Sequence, residues 1–244
     1  MRAPAPLPLL GTFHEVSLAV EDARAAVEFY EDLGFSQATT GDTFAHPYGV
    51  LTDGRLFIGV HQRAGPSPVL TFVRRGIAQS VPAFADAGVE LERVRTGEEV
   101  FNELAFRDPF GHAVTLLEAR TYFSAAHQAR EGSQCGDFAE VSLPVSDFAT
   151  AQSFWEPLGF VAAGEAESPY PHLPLTSDHL DLSFHRPRLS ERALLVFRDR
   201  DMPARIAKLR ERGVSLRALP ALGAAAALLE GPGDVPLLLL PDAD

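Results

Sequence analysis

One cysteine, Cys135, stands alone among 244 residues. That excludes an internal disulfide and suits a reducing compartment. There is no Cys-x-x-Cys pair, no Gly-x-Gly-x-x-Gly run and no phosphate loop, and Cys135 has no supporting base near it in sequence. The net charge is −12, with no dense basic cluster. This argues against nucleic acid as a partner and leaves a cationic or neutral ligand easier to reconcile with the field. No run approaches the ~20 apolar residues of a membrane helix. The opening ten residues are too short and too broken by proline for a signal-peptide core. The expectation is a cytoplasmic protein without a membrane partner. With 46% apolar and 22% charged residues, the composition is that of a folded chain rather than a disordered one.

What the chain does have is an internal echo. Glu15-Val-Ser-Leu-Ala-Val-Glu-Asp22 returns as Glu140-Val-Ser-Leu-Pro-Val-Ser-Asp147. Phe29-Tyr30 and Leu33-Gly34-Phe35 return as Phe154-Trp155 and Leu158-Gly159-Phe160, and Gly88-Val-Glu-Leu91 as Gly213-Val-Ser-Leu216. A repeat of this length means two copies of one architecture.

Within each copy the pattern changes period twice. Residues 13–20 alternate as a half-buried strand, with Phe13, Glu15, Ser17 and Ala19 on one face and Val16, Leu18 and Val20 on the other. Asp22 sits where an N-cap belongs. Ala23, Ala26, Val27 and Tyr30 then form an apolar helical stripe that ends at Gly34. Strands are expected near 36–40, 47–53 and 55–61, with Asp53-Gly54 turning between the last two. The unit restarts with a strand at 69–73, a helix at 77–87 interrupted by Pro82, and strands near 89–95, 101–107 and 112–118. This gives an α+β chain of four βαβββ modules, two per domain. The first domain runs 12–118 (modules 12–62 and 67–118), a linker covers 119–136, and the second domain runs 137–240 (modules 137–186 and 191–240).

Glu15-x-x-Leu18-x-Val20-x-Asp22 followed by Phe29-Tyr30 and Leu33-Gly34-Phe35 resembles the opening of the vicinal oxygen chelate superfamily. That group includes glyoxalase I, extradiol dioxygenases and bleomycin-resistance proteins. Asp108-Pro109-x-Gly111 leading into Val114-Thr-Leu-Leu-Glu118 is similar to its closing hairpin. The second closing hairpin, Gly231-Pro-Gly-Asp-Val-Pro236, is degenerate. The resemblance implies two tandem open barrels of glyoxalase/bleomycin-resistance type, each with its site on the concave side.

Metal-using members of that superfamily place a histidine at the start of the first strand, a histidine or glutamine in the next unit and a glutamate on the last strand. Here those positions read Glu15, about Val69 and Thr115, and in the second copy Glu140, about Leu194 and about Leu238. A single carboxylate does not hold a divalent ion against water, so no cofactor is expected, with a divalent metal ion as the alternative. In that alternative the ligands are Glu15, His61, Glu140 and His185. His61 and His185 end corresponding strands and read first as rim residues. His14 reaches the site only by a register slip that the alternation of Val16 and Leu18 forbids. Glu118 is expected to end its strand in solvent.

The leading expectation is a metal-independent binder of a small molecule, one that is basic or hydroxylated and oriented by a carboxylate in each barrel. The rival is a glyoxalase-like lyase or extradiol-type dioxygenase with an unusual ligand set. Ligand-binding candidates are Glu15, Glu140, Tyr48, Phe57, Thr71, Phe101, Arg107, Thr115 and Phe184. Phe44, Phe106 and Tyr170 are further aromatic candidates, and Asn102 and Glu103 weaker polar ones. Arg107, Arg74 or Thr71 are the internal partners expected for Glu15 if it is merely structural. Tyr30 and Trp155 are expected to pack. A decayed second copy acting as scaffold is a third reading, and the chain is expected as monomer or homodimer.

Overall fold

The computed structural model describes residues 8–38, 44–118 and 132–242. Its first half contains β1 (Thr12–Val20), α1 (Ala23–Asp32), β2 (Ser36–Gln37), β3 (Tyr48–Thr52), β4 (Phe57–Gln62), β5 (Val69–Arg74), α2 (Ile77–Asp86), β6 (Leu91–Arg95), β7 (Glu103–Arg107) and β8 (Ala113–Glu118). The second half repeats the order with β9 (Asp137–Pro144), α3 (Phe148–Trp155), β10 (Val161–Ala162), β11 (His172–Thr176), β12 (Asp181–His185), β13 (Leu194–Asp199), α4 (Met202–Glu211), β14 (Leu216–Ala218), β15 (Ala227–Leu229) and β16 (Leu237–Pro241).

Each half forms one open eight-stranded mixed sheet, ordered β2-β3-β4-β1-β5-β8-β7-β6 and β10-β11-β12-β9-β13-β16-β15-β14. The two sheets share no strand. In both, the strand carrying the glutamate lies near the middle, parallel to one neighbour and antiparallel to the other. The expected linker falls mostly outside the described residues. Its last part, 132–136, is packed, with Cys135 buried and Gln134 donating its amide to the Leu33 carbonyl.

Local chemistry explains the helix positions. Asp22 Oδ1 accepts from the amides of Arg24 and Ala25, and Asp147 Oδ2 accepts from Thr150. Each cap stabilises its helix by about 1 kcal/mol. Gly34 closes α1 at φ +91°, a conformation glycine adopts without Cβ strain. α2 begins at Gly76 with no cap of its own. Glu118 supplies one from the end of β8, its two carboxylate oxygens accepting from the amides of Gly76 and Ile77 at 2.8 and 2.9 Å. The solvent-facing role expected for Glu118 is therefore wrong: a carboxylate at a helix N-terminus satisfies orphan amides and the helix dipole together.

A continuous apolar core lies between the sheets and their helices and joins the two halves. Phe35 meets Phe197 and Phe106 meets Phe154 edge-on or tilted, with ring centroids about 6 Å apart. Trp155 Nε1 donates to the buried Asp108 across the same seam, and Ser67 Oγ donates to the Gly233 carbonyl from the other side. The degenerate hairpin of the second half is thus used as a docking element against the first. As expected, Tyr30 and Trp155 are fully buried packing residues.

Candidate functional site

β1 delivers Glu15 to the side of the sheet opposite that core through a bulge. Phe13 pairs with Phe72 and Glu15 with Thr71, so β1 advances two residues while β5 advances one. The extra residue is His14, and it reverses the alternation on its N-terminal side. Phe13 therefore packs edge-on against Phe72 in the core rather than sharing a face with Glu15. The second half has the same bulge before Glu140, between the pairs Phe138–Phe197 and Glu140–Val196.

In the first sheet Glu15 is 5% exposed and opens onto a cavity of about 810 Å³. The floor around it is hydroxylic: Ser17, Thr71 and Thr115 line the cavity beside it. Ser17 Oγ donates to Glu15 Oε1 at 2.6 Å and lies 2.8 Å from Thr71 Oγ1. His61 Nε2 stands 3.2 Å from the same carboxylate oxygen, and His61 Nδ1 is 3.1 Å from His46 Nε2. With Nε2–H donating to Glu15, Nδ1 accepts from His46, which gives a string from the partly exposed His46 to the buried carboxylate. Burial alone would raise the pKa of Glu15. The hydrogen bonds from His61 and Ser17, with the charges of His14 and His61, outweigh it and hold Glu15 below the ordinary carboxylate range.

Gly59 makes this arrangement fit. A Cβ there would sit 2.2 Å from Glu15 Oε1 and 2.6 Å from Oε2, so the carboxylate lies directly over the glycine. His61 is 3% exposed, not a rim residue. Tyr48 stacks on it at 5.8 Å, and Phe44 packs on it edge-on at 4.9 Å.

The second sheet places the same residue types differently. The strand pair Ser17–Gly59 has as its counterpart Ser142–Ser183. Ser183 Oγ lies 2.9 Å from Glu140 Oε1 and 2.8 Å from Ser142 Oγ, and Ser142 Oγ lies 2.8 Å from His185 Nδ1. His185 Nε2 is 3.1 Å from the Ser190 carbonyl. A carbonyl only accepts, so Nε2 carries the proton and Nδ1 accepts from Ser142. Ser183 donates to the Glu140 carboxyl. Burial, the largest influence on Glu140, raises it above the ordinary carboxylate range, against the opposing effect of the Ser183 hydrogen bond. Burial also pushes His185 down to about 4. The two glutamates are thus shifted in opposite directions, Glu15 downward by its hydrogen-bond donors and Glu140 upward by burial.

The space above Glu140 is filled. Leu194, Val196, Leu228, Leu238 and Leu240 cluster there with Tyr170 and Ala226, all buried. At the matching positions the first sheet has Val69, Thr71, Ala105 and Thr115 for Leu194, Val196, Leu228 and Leu238, while Leu117 matches Leu240.

Of the residues expected to bind ligand, Glu15, Thr71, Thr115, Arg107 and Phe101 line the first cavity together with Phe44 and Phe106. Tyr48 and Phe57 do not line it; Tyr48 backs His61 instead. Phe184 belongs to the core against Trp155, because Ser183 and His185 take the cavity face of β12. None of the charged partners expected for Glu15 pairs with it. Arg107 bonds the Gly111 carbonyl and Glu92, and Arg74 bonds the Leu9 carbonyl. Thr71 acts one step away, through Ser17. His46 and Gly59 carry no sequence signal: one is fixed by a loop path and the other by what crosses above it.

The positions that hold metal in vicinal oxygen chelate enzymes read Glu15, Val69 and Thr115, and all three line the cavity. One carboxylate, one aliphatic and one hydroxyl do not fit a divalent ion. Glu15, His61 and His46 meet in a line rather than at a point, and among the described residues no group of three or more His, Cys, Asp or Glu side chains could hold a metal ion. No helix among the described residues is long and apolar enough to cross a membrane.

Comparison with known proteins bears on the fold. A family model described as the Glyoxalase/Bleomycin resistance protein/Dioxygenase superfamily matches residues 12–116. No curated protein sequence matches the chain. Among solved structures, the chain is similar to the 2,3-dioxygenase LapB from Pseudomonas sp. KL28, at 16% identity and a TM-score of 0.63, covering 96% of this chain and 93% of that one. It is also similar to the Mn(II)-bound glyoxalase from Novosphingobium aromaticivorans, at 13% identity and a TM-score of 0.60, covering 96% and 82%. A catechol 2,3-dioxygenase matches at 14% identity and a TM-score of 0.59, covering 94% and 91%. At these identities the likeness is one of fold, and it spans both halves of the chain.

Proposed function

We propose, from the match of residues 12–116 to the Glyoxalase/Bleomycin resistance protein/Dioxygenase superfamily model, that the chain is a member of that superfamily whose first sheet binds a small organic molecule without a metal ion. The second sheet serves as a filled scaffold. The observation that carries this reading is the donor set: Glu15 occupies a metal-ligand position but is already held by Ser17 and His61, while Val69 and Thr115 stand at the other two. Glu15 Oε2 receives no hydrogen bond among the described residues and is free to accept one from a ligand hydroxyl. A hydroxylated ligand therefore suits the site better than a basic one, since His61 already faces the carboxylate.

One observation favours the rival. Glu15 and His61 lie 3.2 Å apart and are both competent ligands, so displacement of their mutual hydrogen bond by a metal would give a two-residue site for a glyoxalase-like or dioxygenase-like reaction. In the second sheet Glu140 and His185 connect only through two serines. The two readings separate on metal content and ligand response. Protein incubated with Mn(II), Fe(II), Ni(II) or Zn(II) and then desalted is expected to retain well under one metal per chain. Its melting temperature should rise with members of a panel of small hydroxylated organic compounds, and Thr115→Trp, which fills the cavity, should abolish the rise. Stoichiometric metal that disappears in Glu15→Ala would instead establish the rival.

A further inference from the structure

The cavity carries a local charge opposite to that of the molecule. In a chain of net charge −12, its lining holds four arginines, Arg63, Arg93, Arg95 and Arg107, against three glutamates, Glu15, Glu92 and Glu103. Each glutamate is engaged: Glu15 with His61, Glu103 with Arg93 at 2.7 Å, and Glu92 with Arg107 at 3.2 Å. That leaves Arg63 and Arg95 with no carboxylate or hydrogen-bond partner among the described residues. They come from opposite sides of β1 in the sheet order. Arg63 follows β4, and Arg95 ends the edge strand β6, two residues from Arg93 and on its face. Both line the same cavity.

The apolar side of the cavity is equally unsatisfied. Phe44 and Phe101 are 42% and 57% exposed, among the few large hydrophobic side chains exposed in the described molecule, and both line this cavity. Isolated exposed aromatics need no explanation, but two around one concave opening with two unpaired guanidinium groups form a composite surface. A planar guanidinium matches an oxyanion in a two-pronged contact, and the rings would cover an apolar body.

We infer that the ligand of this cavity is a small organic anion, an apolar or aromatic body carrying one carboxylate that Arg63 and Arg95 receive. This rests on the binding reading above and names its ligand class. The acidic exterior does not oppose it, because at physiological ionic strength exposed charges beyond about 8 Å are largely screened.

Isothermal titration at physiological ionic strength with three compounds of one shape, 3-phenylpropionate, 3-phenylpropionamide and 3-phenylpropylamine, tests the inference. The carboxylate should bind about tenfold more tightly than the amide, a difference of about 1.4 kcal/mol, and the amine most weakly. In the Arg63→Gln/Arg95→Gln double variant, whose exposed side chains support no packing, carboxylate affinity should fall to that of the amide while the amide is unchanged. Amide or amine binding as tight as the carboxylate, or a preference that survives the double variant, overturns the anion assignment and leaves the binding reading standing. Failure of all three compounds to bind counts against the binding reading, and the anion assignment falls with it.

Discussion

Across the first sheet, the row of paired residues through the site reads Glu15, Thr71, Thr115 and Ala105. Across the second, the corresponding row reads Glu140, Val196, Leu238 and Leu228. On the other flank, Gly59 in the first sheet faces Ser183 in the second. The first row leaves a void floored by hydroxyls; the second closes it with branched aliphatic side chains. The same glutamate consequently has opposite fates. Where the neighbour is glycine, the carboxylate lies flat and reaches His61 as an anion. Where the neighbour is serine, it stops at the hydroxyl, and burial raises its pKa above the ordinary carboxylate range. A duplicated fold thus separates what the glutamate is for from where the backbone puts it.

The largest test of that contrast is mechanical. Leu238 is fully buried in the filled interior, so Leu238→Ala should cost about 2–5 kcal/mol by denaturant unfolding. Thr115→Ala at the matching position of the hollow interior removes atoms that face open space and should cost about 1 kcal/mol or less. Equal costs would mean that the first cavity is not a cavity in solution.

Much of this architecture is readable from residue order, and the reasons are local. Asp22 and Asp147 announce helix starts because a cap needs only its own helix. The period-two pattern places Glu15 and Glu140 because a strand has only two faces. The poorer closing hairpin of the second copy, with Pro236 and the Leu237–Leu240 run, marks that copy as the scaffold candidate on sequence grounds. What stayed hidden depends on a second strand or a distant helix. The bulge at His14, which turns Phe13 to the core, is visible only in its pairing with β5. Glu118 finds its partners some 40 residues away at Gly76 and Ile77. Phe184 looked like a pocket aromatic until its neighbours Ser183 and His185 took the inner face. The contact between Gly59 and Glu15, on which the site depends, crosses from one strand to the next and has no signature along either.

Exchanging the flanking residue should convert one interior toward the other. In Gly59→Ser the new Cβ collides with both Glu15 oxygens, so the carboxylate must swing off His61. The expected cost is about 1–3 kcal/mol of stability, as for other overpacked sites. The melting-temperature rise that cavity ligands give the unmodified protein should also disappear. Ser183→Gly should not create binding in return, because Leu228 and Leu238 still fill the space. Should Gly59→Ser retain ligand response, the Glu15–His61 pair is not part of the binding floor.

The smallest expected effects are the most diagnostic, because they have opposite signs. Glu15 is held below the ordinary carboxylate range by His61 and Ser17. Its contribution to stability is therefore present above its ordinary value of 4.5 and is lost as pH falls through the lower folded value. Glu140 is raised by burial, so its contribution is complete below the ordinary value and is lost as pH rises through the higher folded one. Glu15→Gln should then destabilise the protein at pH 7, on the order of 1 kcal/mol for a buried charged hydrogen bond made weaker. That difference should shrink as the solution is acidified. Glu140→Gln should be neutral or stabilising at pH 7, because the glutamine oxygen can still accept from Ser183, without a charge to desolvate. Thermal unfolding of both variants between pH 4 and pH 8 measures the two slopes. Parallel slopes would show that the two carboxyls are shifted in the same direction, and the contrast between the two interiors would fall.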